Sequence, residues 1–275
     1  MRNMFNAAST MGQLQQRMDL TSNNLANVNN HGYKTRHSNF SSLLNQQVNN
    51  LLDHDADSPR LTPDGIRVGS GARLGHENMN MDSGSLQETG RGLDVALQDR
   101  NRFFTVSVEG NDGAVEDHYT KSGNFYLSNM DDGTFMLTSS EGNPVQGEDG
   151  PIIIDENFND VRFNDNGDVI VTRDGEEAVE GTLQLVDIPN SRVLQPVDAG
   201  TFIINEDELG VPADALTEVV APADANLVSG SLETSNVDYG TEVQNLMESQ
   251  RAYSFNARSL SMGDQMMGLI GSMRN

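Results

Sequence analysis

The chain has no cysteine, no tryptophan, only two lysines, and 5% aromatic residues in a length of 275. Each shortage excludes something. Without cysteine there is no disulfide, no thiol nucleophile and no cysteine-ligated zinc or iron–sulfur site. No apolar run approaches the roughly 20 residues needed to span a bilayer. Met1 to Leu20 lacks the apolar stretch and cleavage site of a secretory leader, so any route out of the cytoplasm is expected to use another signal. Positive charge is scarce as well: 41 acidic residues against 17 basic give a net −24. A field of that sign repels phosphate backbones and anionic lipid, so neither nucleic acid nor a membrane is expected as a partner. The hydrophobic content, 36%, is lean for a compact enzyme yet too high for a disordered chain.

Signs of catalysis are missing too. There is no Walker A motif, no GxSxG and no HExxH, and His31, His37, His54, His76 and His118 are scattered. Gly69, Gly71 and Gly75 have the wrong spacing for a dinucleotide loop. Asn164-Asp165-Asn166-Gly167-Asp168 resembles a calcium loop but lacks its closing glutamate, and Asn-Gly already explains it as a hairpin. Among 41 carboxylates no pair stands out as acid and base. The expectation is a non-enzyme with no catalytic, cofactor or metal residues.

What is present is organised. Residues 1–36 carry +3 and residues 236–275 carry −1, so residues 37–235 hold −26. Near-neutral ends can be buried against copies of themselves, while an acidic body stays in water. Fifteen arginines accompany Lys34 and Lys121. Arginine keeps its charge at high pH, so the composition suits saline or alkaline surroundings as well as it suits drift.

Both ends read as helices. From Asn3, taken as an N-cap, the only glycine before Gly32 is Gly12, and there is no proline. Met4, Met11, Met18 and Leu25 recur every seven residues, and Ala7, Leu14, Thr21 and Val28 fall three further on, an a/d pattern. Asn23, Asn24, Asn27, Asn29 and Asn30 crowd the end of this segment. They mark either a fraying terminus or a polar set that fixes register where helices meet. In the last segment Thr241-Glu242-Val243-Gln244 reads as a capping box, with an earlier one at Ser235 to Asp238. Val243, Leu246, Gln250, Tyr253, Ala257, Leu260 and Met267 form one stripe. Phe255, Ser259, Met262, Met266, Leu269 and Met273 form a second on the opposite side. Two apolar faces need two partners.

Between them lie short β-rich runs: Phe104–Val108, Phe125–Leu127, Thr134–Leu137, Val169–Val171, Thr182–Val186 and Thr201–Ile204. Asp132-Gly133, Asn166-Gly167 and Asp174-Gly175 predict hairpins with type I′ turns. No helix-length period interrupts them, which argues against a βαβ sheet. The fold class is therefore α+β, a mainly antiparallel β body between two long terminal helices. Its expected divisions are 1–40 for the first helix, 41–85 for a connector with Leu43, Leu44, Val48, Leu51 and Leu52, 86–228 for the β domain and 229–275 for the last helix.

Ser22-Asn23-Asn24-Leu25-Ala26-Asn27-Val28-Asn29-Asn30-His31-Gly32-Tyr33-Lys34 closely resembles the N-terminal signature of bacterial flagellar rod and hook proteins. The likeness continues in order at Gly65–Ala72, Gly84–Thr89, Leu93–Leu97, Tyr119–Phe125, Gly230–Val237 and Gln250–Tyr253. It is strongest to the distal-rod type, including related basal-body proteins of Gram-positive bacteria. Two places depart from the family: Asn30 stands where threonine is usual, and Asp99-Arg100-Asn101-Arg102 replaces a Gly-Asp-Gly turn before Phe103-Phe104.

The resemblance implies terminal helices paired as an inner coiled coil, with the β domain outside, in a helical tube that transmits torque. It implies location in the flagellar basal body, after export through the flagellar type III apparatus. The implied partners are copies of the chain and other flagellar rod and hook proteins, with no cofactor. The candidate assembly residues are Met4, Met11, Leu14, Met18, Asn24, Leu25, Asn27, Val28, Val243, Leu246, Gln250, Tyr253, Phe255, Ala257, Leu260, Met262, Met266, Met267 and Leu269. A hook or proximal-rod subunit of the same family, and a secreted β domain binding carbohydrate or calcium, are the alternatives.

Overall fold

The computed structural model describes residues 2–42, 46–48, 66–68, 72–110, 113, 115–130, 132–198, 200–206 and 210–273. Leu43, Leu44, Leu51, Leu52, Gly65, Gly69, Ser70 and Gly71 lie outside the described residues. The chain divides into two compact units. One comprises Met1–Asn23, Arg36–Asn78 and Tyr239–Asn275, the other Asn24–Thr35 and Met79–Asp238.

The first unit is built on two long helices, α1 (Arg2–Ala26) and α2 (Tyr239–Met273). Helix α1 starts ahead of Asn3, which is a helical residue and not the cap. Helix α2 starts at Tyr239, between the starts that the two capping signals imply: Ser235 Oγ accepts from Val237 N–H ahead of the helix, and Thr241 falls inside the first turn. Glu242 in that turn sets a negative charge near the positive end of the helix dipole. The stretch expected as a connector contains strand. Arg36–Ser42 pairs with Ala72–Met79, and Gln46–Val48 pairs antiparallel with Ile66–Val68. Sequences such as Arg-His-Ser-Asn-Phe-Ser-Ser show no apolar alternation, so the period-2 signal on which a strand reading depends is absent.

The second unit is antiparallel β. Its six-stranded sheet runs Leu194–Pro196, Thr201–Ile204, Val115–Thr120, Arg102–Glu109, Leu185–Asp187, Glu218–Val219. Strand alternation decides the core. Phe103 and Phe104 are neighbours on one strand, point to opposite faces, and enter separate apolar clusters. Phe104 meets Phe125 edge-to-face at 5.2 Å, and Phe125 meets Phe163 at 5.7 Å. Phe103 meets Phe202 at 6.0 Å on the other side. The rebuilt turn before this strand is held by charge: Arg102 pairs with Asp99 at 2.7 Å and Arg100 with Asp82 at 2.6 Å.

All three Gly-containing dipeptides close hairpins, but only one does so as expected. Asp174 and Gly175 both have positive φ, as a type I′ turn requires. At Asn166-Gly167 only the glycine does, and its N–H donates to Asn164 O at 3.0 Å. That is a type I turn followed by a left-handed glycine, one residue longer. Asp132-Gly133 repeats the pattern, with Gly133 N–H donating to Met130 O at 3.1 Å.

Gly123 shows how tightly the unit is packed. It accepts the Val95 N–H at 3.0 Å, and a Cβ placed on it would stand 1.7 Å from the Val95 carbonyl oxygen. Backbone cannot yield as a side-chain tip can, so Gly123→Ala is expected to cost about 3 kcal/mol or more. Gly12 in α1 has no neighbour within 4 Å of its would-be Cβ, and Gly12→Ala is expected to gain about 0.5–1 kcal/mol through helix propensity. Urea midpoints of the two variants check both signs; equal and small shifts would contradict the packing.

Candidate assembly interface

The heptad reading of α1 is visible in its burial. Ala7, Leu14 and Thr21 are buried, seven residues apart, and Met4, Met11, Met18, Leu25 and Val28 are half-buried beside them. Thr21 fits this row because its hydroxyl donates to the Arg17 carbonyl one turn back, at 2.9 Å. The start of α1 touches the far part of α2: a Cβ on Gly263 would stand 2.9 Å from Met4 Cγ. Any side chain at this position would force Met4 to shift.

On α2 the buried row is shifted from the expected one. Glu242 and Ser249 are buried, Asn256 and Gly263 are half-buried, and Gln250 is exposed. Val243, Leu246, Tyr253, Ala257 and Leu260 are half-buried along the edge of this row. Small and polar residues at its centre escape a search for apolar periodicity. Apart from half-buried Ser259, the second stripe has no cover within the described chain: Phe255 is 72% exposed, Leu269 65%, and Met262, Met266 and Met273 are exposed with them, as is Met267 of the first stripe.

The asparagines at the end of α1 serve the chain's own fold. Asn24 is 1% exposed and accepts from the Tyr33 hydroxyl at 3.0 Å. Asn27 N–H donates to Asn24 O, and Asn30 N–H to Asn27 O, as successive turns lead the chain out of the helix. Asn30 at the threonine position bonds Asn27 through its side chain at 2.7 Å. Gly32 follows in the left-handed region at φ +70°, where a Cβ would press on the Lys121 carbonyl carbon and Ser122 nitrogen at 2.6 Å.

Beyond Gly32 the N-terminal signature meets the C-terminal one. Lys34 Nζ is 2.7 Å from Glu233 Oε1 and donates to the Asp82 carbonyl at 3.0 Å. Both side chains are 1% exposed. Glu233 Oε1 also accepts the Gly84 N–H at 2.7 Å. Asn236 accepts from Thr35 N–H at 2.8 Å, and its amide donates to the carbonyls of Asn80 and Asp82. Burial of a pair at this distance is sustained only by such additional hydrogen bonds. These residues carried the resemblance without any assigned role. The signal that could have found them is that a lysine-poor chain keeps both its lysines in the motifs.

Three family profiles match the chain in order. One for flagella basal body rod proteins covers residues 4–34, and one for the flagellar hook protein FlgE/F/G D1 domain covers 100–171. One for the C-terminal part of flagellar basal body rod FlgEFG proteins covers 228–272. The chain is 34% identical to the flagellar hook-basal body complex protein FlhP of Bacillus subtilis, covering 100% of both chains. It belongs to the flagellar basal-body rod and hook protein family. Within that family it is also similar to the basal-body rod protein FlgG of Caulobacter vibrioides, at 29% identity over 98% of each chain. The FlgG of Bacillus subtilis follows at 27% over 97% of each. The rod profile ends on Lys34 and the C-terminal profile contains Glu233, so each terminal module supplies one member of the buried ion pair.

Proposed function

We propose that the chain is a structural subunit of the flagellar basal-body rod, of the distal-rod type. It assembles with copies of itself and with other rod and hook proteins into a hollow helical shaft that transmits torque from motor to hook. The observation that carries this reading is the full-length, collinear likeness to hook-basal body and rod proteins, both terminal modules included. The bare Phe255–Leu269 face supports it, because one chain leaves that face without a partner. A heterologous, non-closing contact between such faces gives an open filament. Pairing of α1 with α2 as the inner coiled coil is supported by the seven-residue burial of α1 and by the Met4–Gly263 contact. Delivery through the flagellar type III export apparatus, and a non-enzymatic role, belong to the same reading.

Deleting the gene tests it. Electron microscopy is expected to show basal bodies whose rods stop short and carry neither hook nor filament, with swimming lost. Complete rods that lack only the hook would assign the chain to the hook, and intact flagella would overturn the reading.

A further inference from the structure

The only two lysines of the chain are both inside it. Lys34 and Lys121 are 2% and 1% exposed, and every other cation is an arginine or a histidine. Lys121 Nζ donates to the Asp99 carbonyl at 3.0 Å and stands 5.1 Å over the centre of the Phe103 ring. It lies in the field of Lys34, Glu233, Asp99 and Arg100. The carboxylates around it are largely engaged elsewhere: Glu233 with Lys34, and Asp99 with Arg102. Asp82, whose carbonyl receives Lys34, pairs its carboxylate with Arg100. Glu233 Oε2 is buried without a hydrogen-bond partner. The Lys121 ammonium is therefore buried against a backbone carbonyl and a ring, while the carboxylates whose charge it feels pair with other cations.

We propose that Lys34, Glu233 and Lys121 form a proton-linked clasp between the two terminal signatures, which tightens when Lys121 gives up its proton. With Lys121 neutral, the interior keeps one ammonium and one carboxylate in contact, and the charges balance. Burial first, and Lys34 second, push the Lys121 ammonium down to about 8 from the ordinary 10.5. Below about 8 the proton is bound in folded and unfolded chains alike. Between about 8 and 10.5 only the unfolded chain holds it, so stability rises with pH through that window. The arginines, which supply nearly all the other positive charge, keep it through the same range. The clasp is a property of the subunit and does not depend on its place in the flagellum.

The test uses the full chain with carbon-13 lysine, which gives one signal set for each of two residues. One set is expected to titrate with a midpoint near 8 and to be missing from Lys121→Met. In thermal unfolding the wild type is expected to gain Tm between pH 8 and 10, a gain that Lys121→Met lacks. Lys121→Arg, which cannot shed its proton in this range, provides a second variant and is expected to show no gain either. Both lysines titrating near 10.5, or an unchanged Tm gain in the two variants, would overturn the proposal.

Discussion

Glu233→Ala is expected to destabilise the second unit by about 3–5 kcal/mol at pH 7, the range for removing one partner of a buried ion pair. Three losses coincide at this position. Lys34 is left with an ammonium that is 1% exposed and has no paired carboxylate. The Gly84 N–H loses its acceptor, and a field that favours the charged form of Lys121 disappears. A domain is typically stable by only about 5–15 kcal/mol, so the variant unfolds at a much lower urea concentration. Replacing both partners, as Lys34→Met with Glu233→Leu, is expected to return part of the loss, because an apolar pair leaves no charge uncompensated. A shift under 1 kcal/mol for Glu233→Ala, read from urea midpoints at constant slope, would mean the pair carries no structural weight.

Phe255→Asp is expected to behave in the opposite way, with a large effect on assembly and almost none on the isolated subunit. The ring is 72% exposed in the single chain, and exposed substitutions away from caps and cores stay within about 0.5 kcal/mol. In the proposed rod contact the same position would meet a neighbour, where an unpaired carboxylate buried among apolar side chains costs several kcal/mol at every repeat. Thermal unfolding of the purified variant is expected to overlay the wild type, while cells carrying it make no complete rods. Rods of normal length would show that the Phe255–Leu269 face lies outside the contact. Leu260 is a poorer probe of assembly, since it is already half-buried within the chain. Deleting residues 1–36 would be poorer still, because it removes Tyr33, Lys34 and Thr35 from the β unit to which they belong.

The two helices were legible because heptad spacing is a local property, written at Met4, Met11, Met18 and Leu25 and again along Leu246, Tyr253 and Leu260. The hairpins were legible for the same reason, each set by a dipeptide. The turn types at Asp132-Gly133 and Asn166-Gly167 were not, because a left-handed glycine serves both a type I′ turn and the longer type I form. Strand pairing of Arg36–Ser42 with Ala72–Met79 left no trace in apolar alternation. The buried row of α2 was displaced from the expected one because Ser249 and Gly263 are recognised by fit and not by hydrophobicity.

By itself, the sequence determined the class of the molecule: an acidic α+β chain with helical ends and the ordered motifs of a rod and hook protein. The first follows from composition and short-range spacing and the second from the likeness of the motifs to a known family, and neither needs a third dimension. Only the tertiary structure decided which face of α2 is bare, and that Asn24 turns inward to Tyr33. It alone joined Lys34 to Glu233 across 199 positions of chain and buried Lys121 against Asp99 and the Phe103 ring. Burial and ion pairing depend on what the fold brings together over such separations, and no local pattern records it.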